Sequence, residues 1–167
     1  MAGSESDLFK TFSGLVLALD GPMFIVTATD GDERSGCLIG FGMPCSVDPQ
    51  RFLACISKAN HTHPFAVRAS HLAVHVVPAG REDLAELFGG ETGDEVDKFA
   101  RCAWSPGPSD TTLLDDCPNR FVGAVRERFD VGDHTAVLLE PVWAEHGDGD
   151  PALRFGRARE ISPGHPA

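Results

Sequence analysis

Residues 57–64 (SKANHTHP) bring hydroxyl, amide and basic side chains together just before a predicted helix, which the proline at position 64 favours. The backbone N–H groups at the start of a helix are unpaired, and the helix dipole adds a partial positive charge there. Lys58 and Thr62 would add an ammonium and a hydroxyl group. The segment therefore predicts a site for a single phosphate, and the alternative is that Asn60 or Thr62 only caps the helix.

The same segment contains His61 and His63, two residues apart, as in half of a metal site. A complete site would need one or two further ligands from elsewhere in the chain. No cysteine or carboxylate stands at a spacing that completes the set, and His71 and His75 lie in or beside a predicted strand. We therefore predict no metal, and expect capping or solvated histidines instead.

The five cysteines, at positions 37, 45, 55, 102 and 117, form no C-x-x-C pair. A Cys–His nucleophile is conceivable for each thiol, but no pattern selects one of them. Cys45 stands out because it follows Pro44 in a predicted irregular loop, whereas Cys55 is expected in the core. No G-x-S-x-G sequence is present, which argues against a serine hydrolase of that type.

A further histidine, His134, ends the turn Gly132-Asp133-His134 between two predicted strands. This places an imidazole at the edge of a sheet, where it can donate a hydrogen bond to a redox-active ring or orient that ring. The alternative is an ordinary aspartate-containing turn with a surface histidine.

The elements that must position these residues are mostly strands. We predict strands over residues 23–29, 35–43, 51–57, 72–77, 121–129 and 134–143, and a short one near 153–155. We predict helices over residues 5–13, 64–69, 82–88 and 95–102, the last with a Thr92-x-x-Glu95 capping box, and a loop over 105–119. Pro44 is expected to end a strand. The hairpin-like order predicts a mainly β protein, an antiparallel β-barrel with attached helices in a single domain of residues 1–167. Residues 1–20 would form an N-terminal helical arm and residues 158–167 a polar tail.

Charge and composition limit the partners. The 167 residues carry 14 Lys+Arg against 25 Asp+Glu, a net charge of −11, which repels nucleic acid and anionic membranes. No apolar run approaches the roughly 20 residues of a membrane span, and the N-terminus lacks the features of a signal peptide. With unpaired thiols, these features predict a cytoplasmic protein without nucleic-acid or membrane partners.

Several short motifs occur in the order found in one family. They are residues 24–28 (FIVTA), 35–41 (SGCLIGF), 45–49 (CSVDP), 57–62 (SKANHT), 88–90 (FGG), 97–99 (DKF) and 132–134 (GDH). The sequence therefore resembles the flavin reductase-like family, the FMN-binding split barrels, from about residue 21 to residue 155. The resemblance implies a six-stranded antiparallel split barrel that forms a homodimer.

The resemblance also implies a site. The flavin ring would lie along Ile39, Gly40, Phe41, Gly42, Met43, Pro44, Cys45 and Ser46, and the phosphate on Ser57, Lys58, Asn60 and Thr62. The glycines at 40 and 42 would allow the ring to approach the main chain. Phe88, Lys98 and Phe99 would close the nicotinamide side, and His134 would be the catalytic residue near both rings.

The activity implied by the resemblance is hydride transfer from NAD(P)H to FMN, or to FAD, with the reduced flavin passed to a flavin-dependent monooxygenase. Leu38 and Gly40 stand where members of the family often carry hydroxyl residues. This departure motivates the alternative of a cofactor-binding barrel, for flavin or haem, without nicotinamide turnover.

Overall fold

The computed structural model describes residues 5–164, which form nine strands, four α-helices and two short 3-10 helices. The strands are β1 (Phe24–Asp30), β2 (Glu33–Ile39), β3 (Gly42–Val47), β4 (Gln50–Ser57), β5 (His71–Val76), β6 (Trp104–Pro106), β7 (Thr112–Leu114), β8 (Arg120–Asp130) and β9 (His134–Glu145). The α-helices are α1 (Glu5–Leu19), α2 (His63–Arg68), α3 (Glu82–Gly90) and α4 (Phe155–Ala158), and the 3-10 helices are Lys98–Arg101 and Pro108–Asp110.

Seven strands form one antiparallel sheet in the order β2-β1-β5-β8-β9-β4-β3, and β6 and β7 form a separate hairpin. The two edge strands, β2 and β3, are consecutive in the chain, so the sheet curls until its edges meet at Gly40-Phe41. There the backbone N–H of Cys55 on β4 donates to the carbonyl oxygen of Phe41 over 2.9 Å. This confirms the mainly β class; the main sheet has one strand more than the predicted six.

The central strands of the sheet are buried on both faces, and each face packs against its own hydrophobic core. On β1, Phe24, Val26 and Ala28 belong to the core inside the curled sheet. Ile25 points the other way, into a second core shared with α3, β7 and the C-terminal segment. This alternation follows from the two-residue period of a strand.

The predicted strand over residues 35–43 is wrong in one respect, because it is two strands, β2 and β3, separated by Gly40-Phe41. Pro44 does not end the strand but lies inside β3, where the pairing with β4 shifts register. An edge strand tolerates proline, which lacks the N–H that a central strand requires.

The predicted helix over residues 95–102 is also wrong, because the chain forms only the 3-10 helix Lys98–Arg101. Its cap is Asp97, whose carboxylate accepts from the N–H groups of Phe99 and Ala100. The hydroxyl of Thr92 bonds Asp94 instead of forming the expected capping box.

Two segments expected to be irregular are ordered. Residues 105–119 contain most of the β6–β7 hairpin, and the predicted polar tail packs Ile161 against the second core. The N-terminal helix extends to Leu19, beyond the predicted residue 13, and none of its residues is buried. The first four residues of the predicted arm and the last three of the tail lie outside the described residues.

Within residues 5–164, no helix combines the length and apolar character needed to cross a membrane.

Candidate functional site

A cavity of about 400 Å³ lies where β2 passes into β3, beside the C-terminal segment. We call it the C-terminal cavity. Its wall consists of Cys37, Leu38, Ile39, Gly40, Phe41, Cys55, Ser57, Asn60, Gly89, His134, Phe155, Ala158, Arg159, Ile161 and Pro163. The wall contains many apolar groups and no carboxylate, although the chain carries 25 acidic residues. A largely apolar wall without carboxylates suits a planar aromatic ligand.

The topology brings six of the predicted site residues to this wall: Ile39, Gly40, Phe41, Ser57, Asn60 and His134. Ile39 to Phe41 come from the junction of the two edge strands. Ser57 and His134 face each other because they end β4 and begin β9, which pair at this position. Residues distant in sequence therefore meet at one cavity through the pairing of β4 with β9.

His134 is held in place by its neighbours. Its Nδ1 lies 2.7 Å from the Oδ1 of Asp133, and because a carboxylate only accepts, Nδ1 donates in this bond. The bond and the charge of His134 lower the pKa of the Asp133 carboxyl. The imidazole also packs against Phe41, with 5.4 Å between ring centroids. Asp133 and Phe41 thus fix the orientation of the imidazole at the cavity.

The other predicted ring-binding residues, Gly42, Met43, Pro44, Cys45 and Ser46, lie on β3 beyond the cavity wall. Met43 and Cys45 are exposed. A Cβ atom on Gly42 would lie 3.2 Å from both Phe24 and Phe52, so a side chain there would press against these aromatic rings.

In the segment predicted to bind phosphate, residues 57–62, most hydrogen-bond donors are already bonded to other groups of the chain. The N–H groups of residues 58, 59, 60, 62 and 63 all donate to oxygens of Ser57, Asn60 or Asp133. Lys58 Nζ lies 2.9 Å from the Asp130 carboxylate and 2.6 Å from the carbonyl oxygen of Gly132. The buried hydroxyl of Thr62 bonds that of Ser35 over 2.8 Å. A role for this segment in binding phosphate stays a prediction.

The predicted nicotinamide-side residues Phe88 and Phe99 are buried in the second core, where their rings meet edge to face. Lys98 is buried too, and its Nζ donates to the carbonyl oxygens of Gly36, at 3.3 Å, and Phe88, at 3.1 Å. Burial lowers the pKa of Lys98. These side chains hold β2 against α3, behind the wall of the C-terminal cavity.

A second cavity, of about 490 Å³, lies beside Lys98, and we call it the acidic cavity. Its wall includes Ser35, Gly36, His61 and Lys98 together with the carboxylates of Asp32, Glu33, Asp94, Glu95 and Asp97. His61 Nδ1 lies 3.0 Å from the Ser35 hydroxyl, and His61 Nε2 lies 3.7 Å from Asp94.

The histidine pair considered for a metal is engaged elsewhere. His61 bonds Ser35 on β2, whereas His63 Nε2 bonds the Thr135 hydroxyl on β9 over 2.8 Å. Across residues 5–164, no group of three histidine, cysteine or acidic residues is placed to hold a metal ion.

Burial disfavours thiolate formation at four cysteines, of which Cys37 and Cys117 are buried and Cys55 and Cys102 are partly buried. Cys55 lines the C-terminal cavity and does not lie in the core as predicted. Burial raises the pKa of Cys37 to about 11, of Cys102 to about 11 and of Cys117 to about 12, and it also raises that of Cys55. Cys37 and Cys55 therefore line the C-terminal cavity as neutral thiols and are poor nucleophiles.

Sequence reasoning missed the C-terminal part of the wall: Phe155, Ala158, Arg159, Ile161 and Pro163. Leu38 and Gly89 stand in the motifs of residues 35–41 and 88–90 but are not among the predicted site residues. A signal for the C-terminal segment was present, because Phe155 and Ile161 are apolar residues in an otherwise polar stretch.

Several known proteins are similar to this chain in sequence or fold. The profile of the family described as "Flavin reductase like domain" matches residues 17–162. FMN reductase (NADH) SmoA of Agrobacterium fabrum is 28% identical over 151 residues, which cover 89% of this chain and 83% of the relative. FMN reductase (NADH) RutF of Pseudomonas syringae pv. syringae is 30% identical over 157 residues, covering 93% and 85%. A solved structure of the Streptomyces globisporus NADH:FAD oxidoreductase SgcE6, in complex with NAD and FAD fragments, has a TM-score of 0.77 at 25% identity, covering 90% of this chain and 91% of that one.

Proposed function

The chain belongs to the flavin reductase-like family, and from this membership we propose that it reduces FMN with NADH in the C-terminal cavity. The observation that carries the proposal is the wall of this cavity, which is rich in apolar groups and free of carboxylates in a chain of net charge −11. A flavin ring needs apolar surface, and its phosphate is disfavoured next to carboxylates. FAD shares the same ring and is the second flavin to test.

Bound FMN would supply the redox chemistry, which is acceptance of a hydride from the reduced nicotinamide, and this chemistry belongs to the two cofactors. The protein contributes position and surroundings. Leu38, Ile39 and Phe155 exclude water from the ring with their apolar side chains. Ser57 and Asn60 add polar groups at one end of the same wall.

His134 is the proposed catalytic residue. With Nδ1 donating to Asp133, its Nε2 is the ring nitrogen left to contact a flavin or a nicotinamide. Phe88, Lys98 and Phe99 enter the proposal as positioning residues, since they support β2 from behind the wall. The relatives named FMN reductase (NADH) support NADH as the reductant.

The test is an anaerobic titration of FMN-loaded protein with NADH and, separately, NADPH, monitored by the visible absorption of the flavin. We expect bleaching, faster with NADH, and at a rate well above that of free FMN mixed with NADH. Bound FMN that stays oxidised with both nucleotides would contradict the proposed reductase activity and favour a barrel that binds a cofactor without nicotinamide turnover. Protein that binds no FMN should then be titrated with haem.

The homodimer belongs to the proposal as well. Apolar side chains are exposed along α1, at Leu8, Phe9, Phe12, Leu15 and Leu19, and on β3, at Met43 and Val47. Such a surface suits a contact between copies of the chain. Sedimentation equilibrium should give twice the mass of the chain, and a Phe9→Glu/Phe12→Glu variant should shift towards the monomer. A wild-type monomer at micromolar concentration would contradict this part.

The remaining parts of the proposal concern cellular context. Reduced flavin would leave the cavity and serve a partner monooxygenase. A coupled assay that combines this protein, NADH, excess FMN and a flavin-dependent monooxygenase tests this step. The five cysteines are all free thiols, which supports a reducing compartment such as the cytoplasm.

A further inference from the structure

Arg159 is the one Lys or Arg side chain on the wall of the C-terminal cavity. Within residues 5–164, no carboxylate lies within ion-pair distance of its guanidinium, and the guanidinium makes no hydrogen bond. Since the wall carries no acidic side chain either, this positive charge is not compensated inside the cavity.

Almost every other cation of the chain has a partner. Eight pair with carboxylates, namely Arg51, Lys58, Arg68, Arg81, Arg101, Arg120, Arg126 and Arg157. Lys98, Arg128 and Arg154 donate to backbone carbonyl oxygens, and Arg34 stacks on Trp104. Besides Arg159, only Lys10 on the exposed helix α1 has no such contact among the described residues. An uncompensated arginine in a chain of net charge −11 is therefore a local exception.

The backbone holds Arg159 firmly at the cavity. Its N–H donates to the carbonyl oxygen of Phe155 over 2.9 Å, which ends α4. On either side, the N–H of Phe155 donates to Gly21, and the N–H of Gly164 donates to Gly89. The side chain of Ile161 packs into the second core. The segment thus presents the guanidinium from a fixed turn.

Lys58, the cation predicted to bind a phosphate, already has partners within the chain. Lys58 is neutralised by Asp130 and donates to Gly132. A nucleotide that enters the C-terminal cavity brings at least one phosphate group, and arginine is well suited to bind phosphate through two parallel hydrogen bonds.

We propose that Arg159 binds a phosphate group of a nucleotide in the C-terminal cavity, an inference that rests on the proposed function. The phosphate comes either from FMN or from the nicotinamide dinucleotide. Arg159 is thereby a specificity-determining residue that favours phosphorylated ligands over their nucleosides.

The test compares ligands with and without phosphate at equilibrium. Wild type, Arg159→Gln and Arg159→Lys are titrated with FMN and riboflavin by quenching of flavin fluorescence. FMN-loaded protein is then titrated with NAD⁺ and nicotinamide riboside by calorimetry. Arg157→Gln is the matched control, because it removes the same charge only two residues from Arg159. The Arg157 side chain pairs with Glu82 instead of lining the cavity. Circular dichroism checks that each variant is folded.

We expect Arg159→Gln to weaken one phosphorylated ligand about 10- to 100-fold, with its nucleoside changed by less than about 2-fold. Loss confined to FMN assigns the flavin phosphate, and loss confined to NAD⁺ assigns the dinucleotide. Arg159→Lys should recover part of the loss, and Arg157→Gln should show none. Added salt should weaken the wild type more than Arg159→Gln.

Two results separate this inference from the proposed function. If Arg159→Gln binds FMN and NAD⁺ as tightly as wild type does, the proposed role of Arg159 is wrong while the proposed function stands. Equal losses of affinity for FMN and riboflavin would lead to the same conclusion. Wild type that binds neither flavin would contradict the proposed function itself.

Discussion

The C-terminal cavity and the acidic cavity border the same strand, yet their walls have opposite character. Ser35 and Gly36 of β2 face the acidic cavity, and the next residues, Cys37 and Leu38, face the C-terminal cavity. The first wall carries five carboxylates and the second carries none. The acidic residues of this chain are therefore kept away from one cavity, and this distribution indicates where an anionic ligand can bind.

The largest expected effect concerns the core that supports both walls. His75 is fully buried, with Nδ1 donating to the carbonyl oxygen of Ile25 and Nε2 accepting from the N–H of Leu114, each over 3.0 Å. Burial lowers its pKa from 6.5 to about 4. The folded state thus binds fewer protons than the unfolded state, so the stability due to neutral His75 is complete above pH 6.5. It is lost as the pH falls towards about 4, by roughly 3 kcal/mol in all.

Urea unfolding between pH 7 and pH 4 checks this expectation. His75→Gln should be less stable than wild type at pH 7, and the two stabilities should converge towards pH 4. His71→Gln, at a partly exposed histidine four residues earlier, should follow the wild-type curve. Parallel curves for His75→Gln and wild type would refute the titration of His75. Ligand binding at the two cavities is best compared above pH 6.5, where protonation of His75 does not reduce the stability of the fold.

A carboxylate placed in the C-terminal cavity should reduce its difference from the acidic cavity. Asn60→Asp changes the charge by one unit and keeps the oxygen that accepts from the N–H of Thr62 at 2.9 Å. We expect FMN binding to weaken about 10- to 100-fold, because a like charge a few ångströms from the phosphate costs on the order of 1–3 kcal/mol.

Asn119→Asp adds the same charge at a site on neither cavity wall and is the matched control. Flavin fluorescence quenching measures both variants. An FMN affinity that Asn60→Asp leaves unchanged would show that the phosphate lies away from Asn60.

His134→Gln tests whether the C-terminal cavity is reactive as well as able to bind. Glutamine retains a hydrogen-bonding side chain but loses the rigid ring that Asp133 and Phe41 orient. We expect the anaerobic rate of flavin reduction to fall about 10-fold while the Kd for FMN changes by less than about 3-fold. His146→Gln, at an exposed histidine bonded to Asn119, should keep the wild-type rate. An unchanged rate in His134→Gln would remove this histidine from the reaction.

The strands could be predicted well from sequence because their signals are local. The turns at Gly31 and Gly132, both with positive φ, separate the paired strands of the β1–β2 and β8–β9 hairpins. The helix over 95–102 failed for a physical reason: Asp97 caps a single tight turn, and its hydrogen bonds compete with those of a longer helix.

The site was only partly predictable because one wall depends on long-range packing. Ser57 and His134 stand in motifs, so sequence could place them near a ligand. Arg159 stands in no motif, and its place at the cavity depends on the bond between Gly164 and Gly89 and on Ile161 in the core. Local sequence does not reveal such contacts.

The smallest expected effect is in the acidic cavity. Asp94 is exposed and 3.7 Å from His61, so this pair is solvated and screened by salt. Asp94→Asn keeps an oxygen for the Thr92 hydroxyl and removes one negative charge. We expect the Kd for FMN and the reduction rate to stay within about 2-fold of wild type, measured by fluorescence quenching and by anaerobic bleaching. Asn60→Asp and Asp94→Asn each alter one charge, on the wall of one cavity and of the other. A loss of FMN affinity or of reduction rate above about 10-fold in Asp94→Asn would place the acidic cavity within the functional site. The two walls would then no longer differ in function.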